Sequence, residues 1–190
     1  MPESFLGDGL IFEDSLPLIW TPGELPQDAA LARLNADNHQ LLGAESSLDE
    51  VRVHEALKDE SPALLHELQR LEFKLNVLLR LTADLARRTS AGPPPRRIRL
   101  SSVGLELPGE NSLPVGSTGM LDLYINSTLP QPLRLPAIVV GSVAQAGGEP
   151  AAQIQFSGLS EQVVDLVEKL IFRHHRRLVA GSRVPPAARP

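Results

Sequence analysis

The stretch AAQIQFSGLSEQVVDLVEKLIFRHHRRL, residues 151–178, contains the two patterns that decide the fold. Its first six residues alternate, with Ile154 and Phe156 on one face, which predicts a β-strand. Ser160 is a good helix N-cap, and apolar side chains then recur at helical spacing from Val163 to Ile171. A short strand that leads directly into a one-sided apolar helix predicts a helix lying over a sheet or over one opening of a small barrel.

Three segments upstream of this stretch show the alternation that is typical of β-strands. RRIRLSSVGLEL (96–107) contains an expected bend at its two serines, and GMLDLYI (119–125) alternates apolar with polar residues. LRLPAIVVGSVAQ (133–145) is a long strand in which Pro136 marks a bulge or an edge. Short strands separated by Gly, Pro and Asn residues predict a small antiparallel barrel.

The C-terminal helix is predicted to close this barrel. We expect Val167, Leu170 and Ile171 to be buried against it, while the basic side chains that follow stay in water. These basic residues are Arg173, Arg176 and Arg177. With His174 and His175, Arg176 and Arg177 place positive charge in the last helical turn. There the charge either complements the helix dipole or forms a docking patch for an acidic partner.

Ser101 and Gly104 form a Ser-x-x-Gly element beside Arg96, Arg97 and Arg99. Two interpretations of this element stay open. In one, it is a bend or bulge in which Gly104 tolerates an unusual backbone angle, and the arginines only keep an exposed strand soluble. In the other, it is the remnant of a ligand site in which guanidinium groups hold phosphates.

The N-terminal half of the chain has a different pattern. An apolar patch broken by Pro17 and Pro22 indicates a short extended segment, such as an edge strand added to something larger. A long helical region follows, and the prolines of TSAGPPP (89–95) end it. The predicted divisions are an extended segment (1–26), a helical oligomerisation region (27–89), a Pro-rich linker (90–95), a barrel with its closing helix (96–180) and a disordered tail (181–190).

The helical region carries a heptad seam after Pro62. Alternating steps of four and three residues separate Leu64, Leu68, Leu71, Leu75, Leu78, Thr82 and Leu85. Such a seam, carried on about 40 Å of helix, predicts self-association of helices. Further leucines at positions 65, 79 and 81 widen the seam and favour a tetramer over a dimer. The alternative is an intramolecular bundle packed on the chain's own barrel.

Asn38 lies near the centre of a second, weaker apolar stripe that runs from Leu31 to Val51. An asparagine inside a seam can select the register and the oligomeric state at some cost in stability. We therefore expect Asn38 to take part in helix association. The sequence leaves open whether the two helices fuse across Pro62 or turn back there.

Composition and charge argue against several classes of function. The 190 residues contain no cysteine, which removes disulfides and thiolate chemistry. The first 60 residues carry 13 acidic and 3 basic side chains, which argues against general nucleic-acid binding. His54 and His66 have no carboxylate or second His three or four residues further on, so we expect no metal site. Without a catalytic motif, we expect no enzyme activity and no cofactor.

Two features of the sequence bear on where the protein works. No segment approaches the roughly 20 apolar residues that a membrane-spanning helix needs, so membrane insertion is not expected. The first 20 residues lack the basic start of a secretion signal and carry acidic residues within their apolar stretch. We therefore expect a cytoplasmic location.

The order and spacing of these segments resemble those of the PilZ domain, the bacterial receptor module for cyclic di-GMP. The resemblance covers roughly residues 96–178, through RLSSVGLEL, LPVGSTGMLDLYI, PLRLPAIVVGSVAQ and the stretch quoted at the start. It implies an α+β fold, with a small antiparallel six-stranded β-barrel closed by a C-terminal helix. In this chain long heptad-bearing helices precede the barrel.

The sequence departs from the family's ligand motifs. PilZ domains that bind cyclic di-GMP carry an Arg-x-x-x-Arg pair before the barrel, and then Asp or Asn, one residue, Ser, two residues and Gly. Ser101 and Gly104 match the second motif, but Arg99 stands in the Asp/Asn place and no Arg-x-x-x-Arg occurs upstream. We therefore predict a degenerate ligand site formed by Arg96, Arg97, Arg99, Ser101 and Gly104.

The resulting prediction is a non-enzymatic PilZ-like adaptor that self-assembles and acts on an unidentified protein partner, without binding cyclic di-GMP itself. Two alternatives stay open. One is a true cyclic di-GMP receptor that uses Arg96, Arg97, Arg99 and Ser101. The other is a structural coiled-coil protein with a vestigial barrel.

Overall fold

The fold is that of a computed structural model of the chain. It describes residues 5–7, 9–49, 66–68, 70, 71, 73–75, 77, 78, 81, 82, 85, 92–110, 112–125, 131–144 and 150–182, and of these it describes only the backbone at 47–49 and 177–182.

Six antiparallel strands form a closed barrel, and two helices pack against it. The strands are β1 (Phe12–Pro22), β2 (Pro95–Leu100), β3 (Gly104–Pro108), β4 (Thr118–Leu123), β5 (Leu133–Val143) and β6 (Ala151–Phe156), and the helices are α1 (Asp28–Asp49) and α2 (Glu161–Ser182). Around the barrel the strand order is β1-β2-β3-β6-β5-β4. The predicted α+β fold, with a six-stranded antiparallel barrel and a closing C-terminal helix, is confirmed.

Alternating side chains fill the barrel interior. In β4, Leu121 and Leu123 are fully buried, whereas Met120 and Asp122 beside them are partly exposed. In the other strands the alternation is only partial: it holds at Ile98 and Leu100 in β2, whereas the residues from Gly104 to Leu107 are all buried in β3. The most deeply buried side chains of these other strands are Ile98, Leu100, Leu105, Leu107, Leu133, Leu135, Val139 and Ile154. The core is therefore aliphatic, as the 4% aromatic content requires.

The first strand is an integral part of the barrel, so the prediction of an edge strand in residues 1–26 is wrong. β1 pairs with β2 from Phe12 to Pro17 and with β4 from Leu18 to Pro22, so each half of the strand has a partner. Pro17 lies where the strand changes partner. The barrel consequently does not begin at residue 96, and residues 23–94 form an insertion between two adjacent strands.

β5 also changes partner along its length. It pairs with β4 up to Ile138 and with β6 from Ala137 onward, and its register shifts between Val139 and Gly141. The predicted irregularity in this strand exists, but it lies at Val140 rather than at Pro136. Pro136 itself pairs regularly with Met120.

α2 closes the barrel as predicted. The backbone N–H of Val163 donates to Ser160 Oγ at 3.4 Å, which is the N-cap geometry. Val163, Val167, Leu170 and Ile171 are buried in the main core. The basic residues behave differently from the prediction, because α2 continues to Ser182 and its last turn carries no basic residue. The helix dipole therefore does not explain the charge around residue 175.

One of those basic residues, Arg173, is not in water. Its side chain is only 22% exposed, and its guanidinium group binds the Glu45 carboxylate and donates to Ser46 Oγ at 2.8 Å. Arg173 thus connects α2 to α1. Arg176 is exposed as expected, and the side chain of Arg177 lies outside the described residues.

α1 docks on the barrel through two asparagines. Asn38 is 2% exposed, donates to the backbone O of Arg134 at 2.7 Å and accepts from its N–H at 3.1 Å. Asn35 makes an equivalent pair of bonds: its Nδ2 donates to Gly158 O at 2.9 Å, and its Oδ1 accepts from the Ser160 N–H at 3.0 Å. The prediction that Asn38 sits in a seam between helices is therefore wrong, because both carboxamides bind the chain's own backbone.

The position of Asn38 has a clear physical reason. β6 pairs with β5 only from Ala137 onward, so the backbone groups of Arg134 lack a strand on that side. Buried backbone polar groups need hydrogen-bond partners, and the carboxamide supplies one acceptor and one donor.

Among the residues that the structure describes, no helix is long and apolar enough to span a membrane.

Candidate functional site

The Ser-x-x-Gly element forms the turn between β2 and β3. The backbone N–H of Ser101 donates to Gly104 O at 2.9 Å and closes the turn. Ser101 Oγ donates to the same oxygen and accepts from the Val103 N–H, both at 3.3 Å. Ser101 is almost fully buried. Its hydroxyl is therefore used inside the turn.

Gly104 is required by space and not by backbone angle. It is absent from the glycines with positive φ among the described residues, so the predicted unusual angle is wrong. A Cβ at this position would lie 2.5 Å from Ile154 O and 2.9 Å from Phe5 Cζ. The Phe5 ring thus covers the glycine of the turn, and β6 passes close behind it.

Two of the predicted site arginines, Arg97 and Arg99, lie on one face of β2, and Arg96 lies on the other face, because successive side chains of a strand alternate. Arg99, in the place of the family's Asp or Asn, lies between two carboxylates. Its Nε is 2.9 Å from Glu13 Oε1 and its Nη1 is 2.6 Å from Glu106 Oε2. Glu106 is nearly buried and also accepts from Gln153 Nε2 at 3.2 Å. Arg99 is therefore neutralised within the fold.

The other two arginines face acids as well. Arg96 Nη1 lies 3.0 Å from Glu110 Oε2, whereas Arg97 Nη2 lies 4.0 Å from Glu13 Oε2 and stays mostly exposed. Hydrogen bonds from the hydroxyl and backbone N–H of Ser112, with the Arg96 guanidinium, hold the pKa of Glu110 below its ordinary value. The Ser112 hydroxyl contributes most, and partial burial opposes the shift.

The acidic partners of these arginines were missed from the sequence. Glu13 lies in β1, far from Arg99 along the chain, and only the register of β1 with β2 brings the two together. Glu106 is opposite Arg99 in the β2–β3 hairpin. A hairpin whose register is set by the Ser101 turn would have predicted Glu106 opposite Arg99, but no local signal identifies Glu13 as a partner of Arg99.

A second candidate site is the leucine segment, which we define as the described helical residues 66–68, 70, 71, 73–75, 77, 78, 81, 82 and 85. Its helical character is also seen in the Glu67–Arg70 ion pair at 2.8 Å and in the bond from Thr82 Oγ1 to Leu78 O at 3.0 Å. Leu64 of the predicted seam lies outside the described residues.

The predicted seam leucines in this segment are exposed. The exposed fraction is 58% for Leu71, 57% for Leu75, 59% for Leu78 and 65% for Leu85, and Leu68 is also exposed. Their spacing of three and four residues places them on one helical face. A face of this kind is an apolar surface of the size that usually marks an interface.

No ligand-holding cluster accompanies these two sites. Among the residues that the structure describes, no group of three or more His, Asp or Glu side chains could hold a metal ion. His66 is exposed on the leucine segment, and His54 lies outside the described residues.

A six-stranded antiparallel barrel closed by a C-terminal helix, with the Ser-x-x-Gly turn between β2 and β3, defines a domain of the PilZ type. Residues 42–184 match the model of the atypical PilZ domain, cyclic di-GMP receptor, and the chain belongs to this family. The matched region begins within α1, so β1 lies before it. No curated protein matches the chain.

A solved structure from Xanthomonas campestris is similar to the whole chain. That protein is described as a pathogenic protein with a new tetrameric PilZ domain self-assembled via an unusual helical bundle. The two chains are 28% identical, the match covers 91% of this chain and 92% of the other, and the TM-score is 0.72.

Proposed function

We propose that the chain is a non-enzymatic adaptor in bacterial signalling related to cyclic di-GMP. It self-assembles through the leucine segment, presents several PilZ barrels at once and acts in the cytoplasm by binding another protein. In this proposal the chain does not bind cyclic di-GMP itself. The support comes from the two sites described above: the leucine segment has an exposed apolar face, and the arginines of β2 are paired with carboxylates.

The exposed face of the leucine segment carries the self-assembly part of the proposal. Burying Leu68, Leu71, Leu75 and Leu78 between copies would remove about 100 Å² of apolar surface for each side chain. At about 25 cal/mol per Å², this burial contributes on the order of 10 kcal/mol per subunit before the cost of association is subtracted. Association costs about 4–15 kcal/mol and a micromolar dissociation constant corresponds to about −8 kcal/mol, so burial contributed by several subunits is of the size that micromolar assembly needs.

A tetramer is favoured over a dimer by two observations. Leu81 lies beside the seam and is also exposed, so a two-stranded coil would leave it in water. The similar Xanthomonas campestris protein is described as tetrameric and as assembled via a helical bundle. More than two helices around one core would bury the seam and its flank together.

Sedimentation of the full chain tests this assembly. Wild type should sediment at about four times the 20.6 kDa of one chain at micromolar concentration. Leu71→Asp combined with Leu75→Asp should produce monomer, because carboxylates cannot be buried in an apolar seam without a large cost.

Phe73→Asp is the matched control for this experiment. Phe73 is 69% exposed on the same segment but lies off the seam, so the variant should stay assembled. A wild-type chain that sediments as a monomer, or a Phe73→Asp variant that dissociates as completely as the double variant, would contradict the proposal.

A cyclic di-GMP receptor is the second candidate, because the matching family model describes that activity. The pairing of Arg99 with Glu13 and Glu106, and the Phe5 ring over Gly104, favour the adaptor instead. Titration calorimetry with cyclic di-GMP should show no binding tighter than about 10 μM, or about −7 kcal/mol. A tighter isotherm that is lost in Arg99→Ala would establish the receptor.

A further inference from the structure

A groove of about 450 Å³ lies between the N-terminal residues, the β2–β3 turn and α2. Leu6 and Ile171 form its buried floor, each only 2% exposed. The walls are different, because Leu10, Val103 and Phe172 line the groove and remain 43%, 46% and 50% exposed. Single exposed apolar residues are common, but three around one groove mark an interaction surface.

Contacts within the chain hold the walls of the groove on two sides. Ser102 Oγ donates to Glu168 Oε1 at 2.9 Å, which ties the β2–β3 turn to α2 across the groove. The N-terminal residues are held at the other side, where Leu6 is buried and Phe5 lies over Gly104. A preformed groove binds without the entropic cost of ordering its walls.

The charged groups beside the groove are unevenly placed. Glu168 is the one acid among the described lining residues, and its carboxylate already accepts the Ser102 hydroxyl. Arg176 lies one helical turn beyond Phe172 and is exposed, with its guanidinium carbon 5.9 Å from the centre of the Phe172 ring. The exposed His175 occupies the same position beyond Ile171. The Arg176 guanidinium, with the His175 imidazole beside it, thus stands at one end of an apolar groove.

We propose that this groove docks a segment of a partner protein in which a large apolar side chain is followed by a carboxylate. The apolar side chain fills the space between Leu10, Val103 and Phe172, and the carboxylate pairs with Arg176. This inference rests on the proposed adaptor function and names the chemistry of its partner. Assembly through the leucine segment is measured separately, so the two proposals can fail independently.

Two glycines supply a variant that blocks the groove and its matched control. A Cβ at Gly9 or at Gly23 would meet no atom within 4 Å, and neither residue has positive φ. Gly9 lines the groove, whereas Gly23 follows β1 away from it. Gly9→Trp should therefore fill the groove without unfolding the chain, and Gly23→Trp is its control. Arg176→Glu and the exposed α1 residue Arg33→Glu form the corresponding charge pair.

The test uses random short peptides displayed on phage and selected against the full-length chain. Enriched peptides should combine a large apolar residue with Asp or Glu, and a labelled winner should bind by fluorescence anisotropy. Gly9→Trp and Arg176→Glu should each weaken this peptide by about tenfold or more, while Gly23→Trp and Arg33→Glu change it less than about twofold.

Three results would overturn the proposal. The first is a selection that enriches no peptide, or only basic ones. The second is a peptide that binds the Gly9→Trp variant as well as the wild type, with both proteins melting at the same temperature. The third is a fall in sedimenting mass caused by Gly9→Trp, because the groove would then hold another copy of this chain.

Discussion

The barrel and the leucine segment use the same amino acid in opposite environments. Leu121, Leu123 and Leu133 have no exposed surface inside the barrel, whereas Leu71 and Leu78 are more than half exposed on the helical insertion. Both sets follow a strict period, two in the strands and three or four in the helix. The difference separates an apolar pattern that is buried within one chain from one that, in the proposed assembly, is buried between copies.

The charged groups repeat this contrast. On the barrel face, Arg99 is held between Glu13 and Glu106, so the strands satisfy their own charges. A phosphate that bound Arg99 would have to displace the nearly buried Glu106 carboxylate. On the leucine segment, by contrast, the seam leucines remain exposed.

The largest expected effect separates core leucines from seam leucines. Leu121→Ala should lower the free energy of unfolding by about 2–5 kcal/mol at every protein concentration, because it leaves a cavity inside one chain. Leu75→Ala should give a loss that depends on concentration, because in the proposed assembly Leu75 packs against another copy. Urea unfolding at two protein concentrations distinguishes the two behaviours. Equal losses for Leu75→Ala at both concentrations would remove the contrast.

A smaller effect is expected where the insertion meets the barrel. Asn38→Ala should cost about 1–3 kcal/mol, because it removes two part-buried hydrogen bonds to the backbone N–H and C=O of Arg134. Hydrogen exchange at the Arg134 amide should accelerate in this variant. Asp37→Ala, at an exposed neighbouring position of α1, should leave both measurements near wild type. Unchanged exchange at Arg134 would mean that α1 is not docked through Asn38.

The smallest effect concerns the ion pair between Arg96 and Glu110. The pKa of Glu110 is lowered in the folded chain, so its ionised form stabilises the fold above the pKa of an unfolded glutamate, about 4.3. This contribution is lost as the pH falls through the folded pKa.

Glu110→Gln should therefore be less stable than wild type at neutral pH, by under about 1 kcal/mol for a partly exposed pair, and the difference should close on acidification. Thermal unfolding between neutral and acidic pH measures it, with the exposed Glu24→Gln as control. A difference that grows as the pH falls would contradict the assignment.

Much of the barrel could be predicted from local pattern. Alternation in β4 and β6, the Ser160 N-cap and the apolar face around Val167 are each encoded within a few residues of sequence. Local pattern also placed the predicted seam leucines, and those at positions 68, 71, 75, 78 and 85 lie on helical residues. Their exposure, which is the basis of the assembly proposal, required knowing what else packs near them.

What the sequence by itself determined is the kind of each element and the face that each would bury, because side-chain period depends only on neighbours along the chain. The tertiary structure alone decided which elements meet. It placed β1 between β2 and β4, brought Glu13 next to Arg99, and placed the Asn38 carboxamide within hydrogen-bond distance of the backbone of Arg134. These contacts join residues far apart in sequence, so their partners become identifiable only once the barrel has closed and its register is fixed.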